Sequence, residues 1–325
     1  MTQVADCKVV NERGQGHVKT LFVSGANGMV GRNILAHSDA KNWSILAPTS
    51  SELDLTDQAA VQSFYASEKP DAVLHAAGKV GGIQANMADP VGFLDINTSI
   101  GRNVIVEAYK AGVPKLINLA STCMYPAAVP NPLKEEMILS APLEPTNEGY
   151  ALAKIMATRL CQYVSAQDKS LTYKTLIPCN LYGLYDKFDP KHSHLIPAIL
   201  HKMHIAKETG AQSVEIWGDG TARREFMFAA DVADAVHRAL THSDTLPEMM
   251  NVGLGHDHTI NEYYDTVASV IGWQGEFVHD LTKPVGMKQK LTDITKQKAW
   301  GWSARTSLED GLRQTYAHYL KEVVG

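Results

Sequence analysis

Tyr150 and Lys154 stand four residues apart in "YALAK", inside a stretch whose apolar spacing predicts a helix over 148–168. That separation puts both side chains on one face, about one turn apart. An ammonium beside a phenol favours the phenolate, so the pair could pass a proton near neutral pH. Taken alone, the pair describes a surface Tyr and Lys equally well. Ser121 ends the apolar run "KLINLA" 29 residues before Tyr150, where it could donate a hydrogen bond to the same substrate oxygen. Two residues on, Cys123 is either a small core filler or a thiol set beside a reacting carbon. A phenol, an ammonium and a hydroxyl converging on one oxygen describe hydride transfer at a carbinol or ketone carbon.

Such chemistry needs a nicotinamide, and "VSGANGMVG" offers a place for one. Gly25, Gly28 and Gly31 fall three apart between a strand and a helix. The first permits a tight turn, the second lets backbone approach a pyrophosphate, and the third lets helix and strand pack closely. The helix N-terminus then favours the anion. The second strand ends "ILAPTSSELDL", with neither an acidic residue at its tip for a ribose 2′-hydroxyl nor an Arg or Lys for a 2′-phosphate. Arg32 is one candidate cation for that phosphate, or simply an exposed helix residue.

These groups require a frame. Buried strands are predicted at 20–25, 43–48, 72–77, 115–120 and 173–178, with helices at 29–38, 57–68, 89–111 and 148–168 between them. That alternation predicts right-handed βαβ units: a Rossmann-type doubly wound parallel sheet, α/β in class, whose strand ends carry the ligand site. After about residue 183 the pattern mixes, which predicts a smaller mixed α/β lobe that binds substrate. The organisation read from this is a tail at 1–18, a dinucleotide-binding domain at 19–182 rejoined by 226–255, and a second lobe from 183–225 and 256–325. A further sheet strand is expected at 249–253 and a terminal helix at 306–324.

Composition narrows the partners. The 30 basic against 35 acidic residues give a net charge of −5, and no basic run suits nucleic acid. No apolar stretch reaches the ~18 residues of a membrane helix, and the first residues lack a secretory apolar core. The four cysteines (Cys7, Cys123, Cys161, Cys179) form no CxxC pair, which argues against zinc and for a reducing cytoplasm.

With "GANGMVG", "LHAAGKVGGIQAN", "STCMYP", "YALAK", "PCNLYG", "HSHLIPAIL", "WGDGTARREF" and "NVGLG" in order, the chain from about Lys19 resembles the extended short-chain dehydrogenase/reductases that act on nucleotide sugars. Within them it is most similar to the GDP-L-fucose synthase family. That family epimerises GDP-4-keto-6-deoxy-D-mannose at C3 and C5, then reduces C4 with NADPH. The resemblance implies Ser121, Tyr150 and Lys154 as the reductase set and Cys123 and His194 as base and acid of epimerisation, with His192 a rival for the acid. It implies cofactor contacts from Gly25, Asn27, Gly28, Met29, Val30, Gly31, Asp54, Leu55, Ala76, Ala77, Pro178, Asn180 and Leu181. Lys202, Trp217, Arg224 and Lys283 are the implied substrate contacts. NADP is the implied cofactor, a GDP-sugar the substrate, and a homodimer through the helix of Tyr150 and Lys154 the assembly. Ile155, Met156, Leu160 and Val164 are the expected packing face of that helix.

Two departures bear on specificity. Asn27 and Thr49 stand where the family carries cations for the 2′-phosphate, so NAD is not excluded. "TKPVGMKQK" (282–290) replaces a "KPDGTPRK"-like run, placing Gln289 at an Arg position. A reductase or epimerase for another GDP-4-keto sugar, of colitose or deoxyheptose type, is therefore the first alternative. A nucleotide-sugar 4-epimerase, a 4,6-dehydratase and a non-catalytic dinucleotide sensor are more distant ones.

Overall fold

The computed structural model of the 325-residue chain describes residues 9–10, 16–189, 193–283 and 287–325. Most of the expected 1–18 tail, with Cys7, lies outside the described residues, as do His192 and part of the 282–290 run. Of the tail, β1 (Val9–Val10) and β2 (Gly16–His17) pair antiparallel.

Six strands form the central sheet: β3 (Thr20–Ser24), β4 (Ser44–Leu46), β5 (Ala72–His75), β6 (Lys115–Leu119), β7 (Thr172–Pro178) and β12 (Met249–Val252). Their order is β12-β7-β6-β5-β3-β4, and every neighbouring pair is parallel. The strands read as continuous apolar runs because both faces are covered. Side chains alternate between two cores: Leu21 and Val23 pack with α1 (Met29–Ala36) and α7 (Ala229–Thr241), whereas Phe22 packs with α2 (Gln58–Glu68), α4 (Pro90–Lys110) and α5 (Glu148–Gln167). Gly101 on α4 lets Ala157 of α5 come close, since a Cβ added there would sit 3.3 Å from the Ala157 methyl. The strand order reverses between β3 and β5, the crevice where open parallel sheets bind ligands.

A separate core in the second lobe joins α6 (Leu195–Glu208), α8 (Ile260–Ile271) and α10 (Leu308–Tyr319) through Leu200, Met203, Tyr263, Val267 and Leu312. Small sheets surround it. β8 (Asn180–Tyr182) runs parallel to β11 (Phe226–Phe228), and β9 (Ser213–Trp217) parallel to β14 (Glu276–Asp280). β10 (Arg223–Arg224) lies between β13 (His258–Thr259) and β15 (Gln289–Lys290). Buried Glu225 ties this region to the sheet. Its carboxylate accepts from the backbone N–H groups of Leu254 at 2.6 Å, Gly255 at 2.9 Å and Thr292 at 2.8 Å, and from the Thr292 hydroxyl.

Three expectations change. Trp300 and Trp302, placed with the second lobe, pack in the sheet core beside α7. The terminal helix is regular only over Leu308–Tyr319 and closes in a π-helical turn at Leu320–Val324. On α5, Ile155 and Val164 are buried in the protomer's own cores and cannot serve another subunit; the exposed apolar residues there are Leu152 and Tyr163. Among the described residues no helix is long and apolar enough to cross a membrane.

Candidate active site

Gly25 takes φ +77°, and a Cβ there would lie 2.7 Å from the Ala77 backbone on the neighbouring strand end. Gly31 is equally required, because a Cβ would collide with Gly25 O and come within 2.6 Å of Ala26 Cα. Gly28 differs. Its φ of −76° suits any residue, and a Cβ would meet only Gly25 O at 3.4 Å, an ordinary contact. The protein does not need glycine there, whereas a ligand lying on the loop does. Gly28 is also the N-cap of α1 with no side-chain cap, so first-turn N–H groups remain open to an anion. The loop fits a dinucleotide pyrophosphate.

Around it, Asn27 is exposed, with Met29 and Val30 half-buried at the start of α1. Ala76 N–H donates to Ser24 O at 3.1 Å and Ala77 N–H to Ser24 Oγ at 3.4 Å, which draws the ends of β3 and β5 together. Beyond β4, Glu52 accepts from the Thr49 N–H at 2.7 Å and its hydroxyl at 2.8 Å. Exposed Asp54 is tied to Thr56, and half-buried Leu55 gives its carbonyl to Asn103. Arg32 does not reach toward this end: its guanidinium lies over the Tyr185 ring, 3.8 Å from the centroid. Cation–π stacking has captured the one basic residue considered for the 2′-phosphate. Pro178 closes β7, Asn180 donates to Glu225 O at 3.1 Å, and Leu181 is half-buried beside it.

The loop after β6 and the start of α5 bring four side chains together. Ser121 Oγ accepts from the Cys123 N–H at 3.3 Å, which leaves the hydroxyl proton to donate elsewhere. Buried Lys154 donates to Leu119 O at 2.9 Å and lies 5.8 Å from the centre of the Tyr150 ring. Burial lowers its ammonium to about 8. Tyr150 does not follow the expectation that the ammonium pulls its phenol down. The residue is only half-buried by exposed area, but protein atoms crowd the phenol, and the lost hydration together with neighbouring Cys123 pushes its pKa up. Desolvation outweighs the cation here.

His194 forms the N-cap of α6 with no side-chain cap bond. Its ring is solvent-accessible yet set among protein atoms, and that partial desolvation, with Lys187, lowers its pKa. Among the described residues no direct contact links His194 to Cys123. Lys202 donates to Glu215 O, and Lys283 lies 5.6 Å from the centre of the half-exposed Trp217 ring, so these three gather near the end of β9. Arg224 sits apart from them on β10 and donates to Arg223 O at 2.7 Å.

The profile of the NAD dependent epimerase/dehydratase family matches residues 21–253. The chain belongs to that family. A GDP-L-fucose synthase of Azorhizobium caulinodans is 52% identical over 94% of this chain and 97% of its own length. A GDP-L-colitose synthase of Yersinia pseudotuberculosis is 48% identical over 93% and 98%. A GDP-mannoheptose C4 reductase from Campylobacter jejuni, solved with NADP bound, shares 30% identity with a TM-score of 0.86, covering 94% of this chain and 99% of that one.

Sequence reasoning in this epimerase-family chain missed Asn147, whose side-chain amide donates to Cys123 Sγ at 3.4 Å. The sole signal was an Asn in "TNEG" at a helix start, where it reads as an ordinary cap.

The glycine geometry separates binding from stability. Gly28→Ala is expected to weaken NADPH binding about tenfold or more while leaving thermal unfolding unchanged, whereas Gly31→Ala should destabilise the fold by about 1–3 kcal/mol. Fluorescence titration of NADPH beside thermal unfolding checks this, and equal stability losses in both variants would refute it.

Proposed function

We propose that this chain converts GDP-4-keto-6-deoxy-D-mannose to GDP-L-fucose, by 3,5-epimerisation and then NADPH-dependent reduction at C4. The observation carrying this reading is the thiol of Cys123 set beside Tyr150 and Lys154, in a chain 52% identical to a GDP-L-fucose synthase along nearly its whole length. The two cores favour a dinucleotide-binding unit from 19–182 with 226–255 and a sugar-binding unit from 183–225 with 256–325, with Tyr182, Phe226 and Phe228 crossing into the second core and Trp300 and Trp302 into the first. Free Cys123, Cys161 and Cys179 support a reducing, cytoplasmic setting.

A C4 ketone acidifies the hydrogens at C3 and C5, because the resulting carbanion delocalises as an enolate. Cys123 removes a proton from one face of the sugar, and His194 returns one to the other. The lowered pKa of His194 makes its imidazolium the readier donor. Ser121 and Tyr150 donate to the enolate oxygen. Bound NADPH supplies the hydride for C4. Tyr150, kept protonated by its raised pKa, gives its proton to the C4 oxygen, and Lys154 stabilises the phenolate left behind. Lys202, Trp217, Lys283 and Arg224 hold the GDP moiety.

A second reading, a GDP-4-keto sugar of colitose type, draws on the 48% identity to a GDP-L-colitose synthase and on Gln289 in the family's Arg position. NADPH consumption and product identification with GDP-4-keto-6-deoxy-D-mannose and its 3-deoxy counterpart test both. Faster turnover of the deoxy sugar would replace the first reading with the second. Cys123→Ser is expected to abolish solvent-deuterium incorporation at C3 and C5 while NADPH still binds; unchanged deuterium uptake would sink the assignment.

Lys154 sets the alkaline limit. Its ammonium is present below about pH 8 and lost above it, so kcat/KM for the reduction should fall as pH rises through that value. A profile flat from pH 7 to 9.5 would contradict the role.

The assembly is a homodimer built on α4 and α5, where Val91, Leu94, Leu152 and Tyr163 expose apolar surface. Leu94→Glu with Leu152→Glu should yield folded monomers in sedimentation velocity; a dimer that survives both would place the interface elsewhere.

A further inference from the structure

Asn147 breaks a local rule. It occupies the N-cap of α5, a position where Asn normally accepts a hydrogen bond from a first-turn N–H, yet its side chain caps nothing. Its Oδ1 is buried without a partner. Its Nδ2 instead donates to Cys123 Sγ at 3.4 Å. A helix cap and a buried acceptor are both forgone while the amide points its N–H end at sulfur. Local rules broken without structural gain mark functional positions.

The sulfur itself is held from behind. The Cys123 N–H is fixed by Ser121 Oγ, in a short 3₁₀ turn spanning Thr122–Met124. The thiol therefore has a defined place, and the amide supplies a donor to it. A hydrogen bond donated to sulfur stabilises the thiolate over the thiol, and the thiolate is the reactive form.

We propose that Asn147 is the positioning residue that sets the reactivity of Cys123, donating its side-chain N–H to the sulfur and so holding it aimed. The part this plays in epimerisation rests on the proposed function of Cys123; the effect on the thiol does not. Asn147 lies three residues before Tyr150 on the same helix, so α5 governs the thiol as well as the phenol and ammonium.

The test uses the full chain with Asn147→Asp and Asn147→Ala. Asp is isosteric and lacks the N–H but sets a carboxylate where an oxygen is buried without a partner, so some loss in thermal unfolding is expected, and Asn147→Ala, which adds no charge, is the second folded variant. The rate of Cys123 alkylation by iodoacetamide, followed by peptide mass mapping across pH 6–9, reads the thiolate directly. At pH 7.5 alkylation should fall about tenfold in Asn147→Asp and about threefold or more in Asn147→Ala. Unchanged alkylation profiles in both folded variants would overturn the proposal. Solvent-deuterium incorporation at C3 and C5 is measured in parallel. If alkylation falls and deuterium uptake falls with it, both readings stand. If alkylation falls while deuterium uptake holds, Asn147 governs the thiol as proposed, and it is Cys123's assignment to epimerisation that fails.

Discussion

One buried cation holds the site together. Lys154 reaches from the middle of α5 to the carbonyl of Leu119, the last residue of β6, and so fixes a helix against the strand end where Ser121 and Cys123 begin. No carboxylate is paired with it in that bond; a backbone carbonyl takes the charge. Burying an ammonium on such terms is unfavourable, which is why its pKa falls to about 8. A fold selected for stability alone would place an apolar residue here.

The same dryness acts on each neighbour according to its charge. It lowers Lys154, whose charged form is a cation, and raises Tyr150, whose charged form is an anion. Lys154 then works at the edge of its charged range while Tyr150 remains a proton donor throughout ordinary pH. A phenol kept protonated in this way can donate to an oxygen placed beside it. The expectation that the ammonium would acidify the phenol reversed the order of the two effects. A sequence displays the charge of a neighbour but not the depth at which the pair is buried.

Legibility followed periodicity. The strands of the central sheet were readable because each is buried on both faces, and α4 and α5 because their apolar residues recur at helical spacing. Pairings between distant short segments were not. β9 joins β14 across some sixty residues, and Arg223 and Arg224 join two separate partners; nothing local in two- to five-residue strands announces such neighbours. Trp300 and Trp302 looked like members of the lobe that surrounds them in sequence, and only the packing against α7 returns them to the sheet. Around the candidate site, residue types and spacing pointed to the β6 loop and α5. Orientation was invisible: an Asn before a helix looks identical whether it caps the backbone or turns toward a sulfur, and Arg32 gives no sign that Tyr185 is waiting for its guanidinium.

Three helix N-termini share a feature with a chemical consequence. Gly28, Asn147 and His194 are the N-caps of α1, α5 and α6, and none makes a side-chain cap bond. By contrast α2, α4, α8 and α10 are capped by Asp57, Asp89, Thr259 and Ser307. An uncapped N-terminus presents unpaired N–H groups and the positive end of the helix dipole. At α1 that field favours a pyrophosphate. At α5 the first-turn carboxylate of Glu148 meets it. At α6 it disfavours a proton on the imidazole, in the same direction as the desolvation and the Lys187 charge that lower His194. The uncapped ends of α3, α7 and α9 limit the generality, since missing caps are not confined to these three. α5 and α7 carry Glu148 and Asp231 in their first turns, whereas α1 and α6 have no acidic residue there. At α1 the open N-terminus gives a pyrophosphate a local positive field within a chain whose net charge is −5, without a large basic patch.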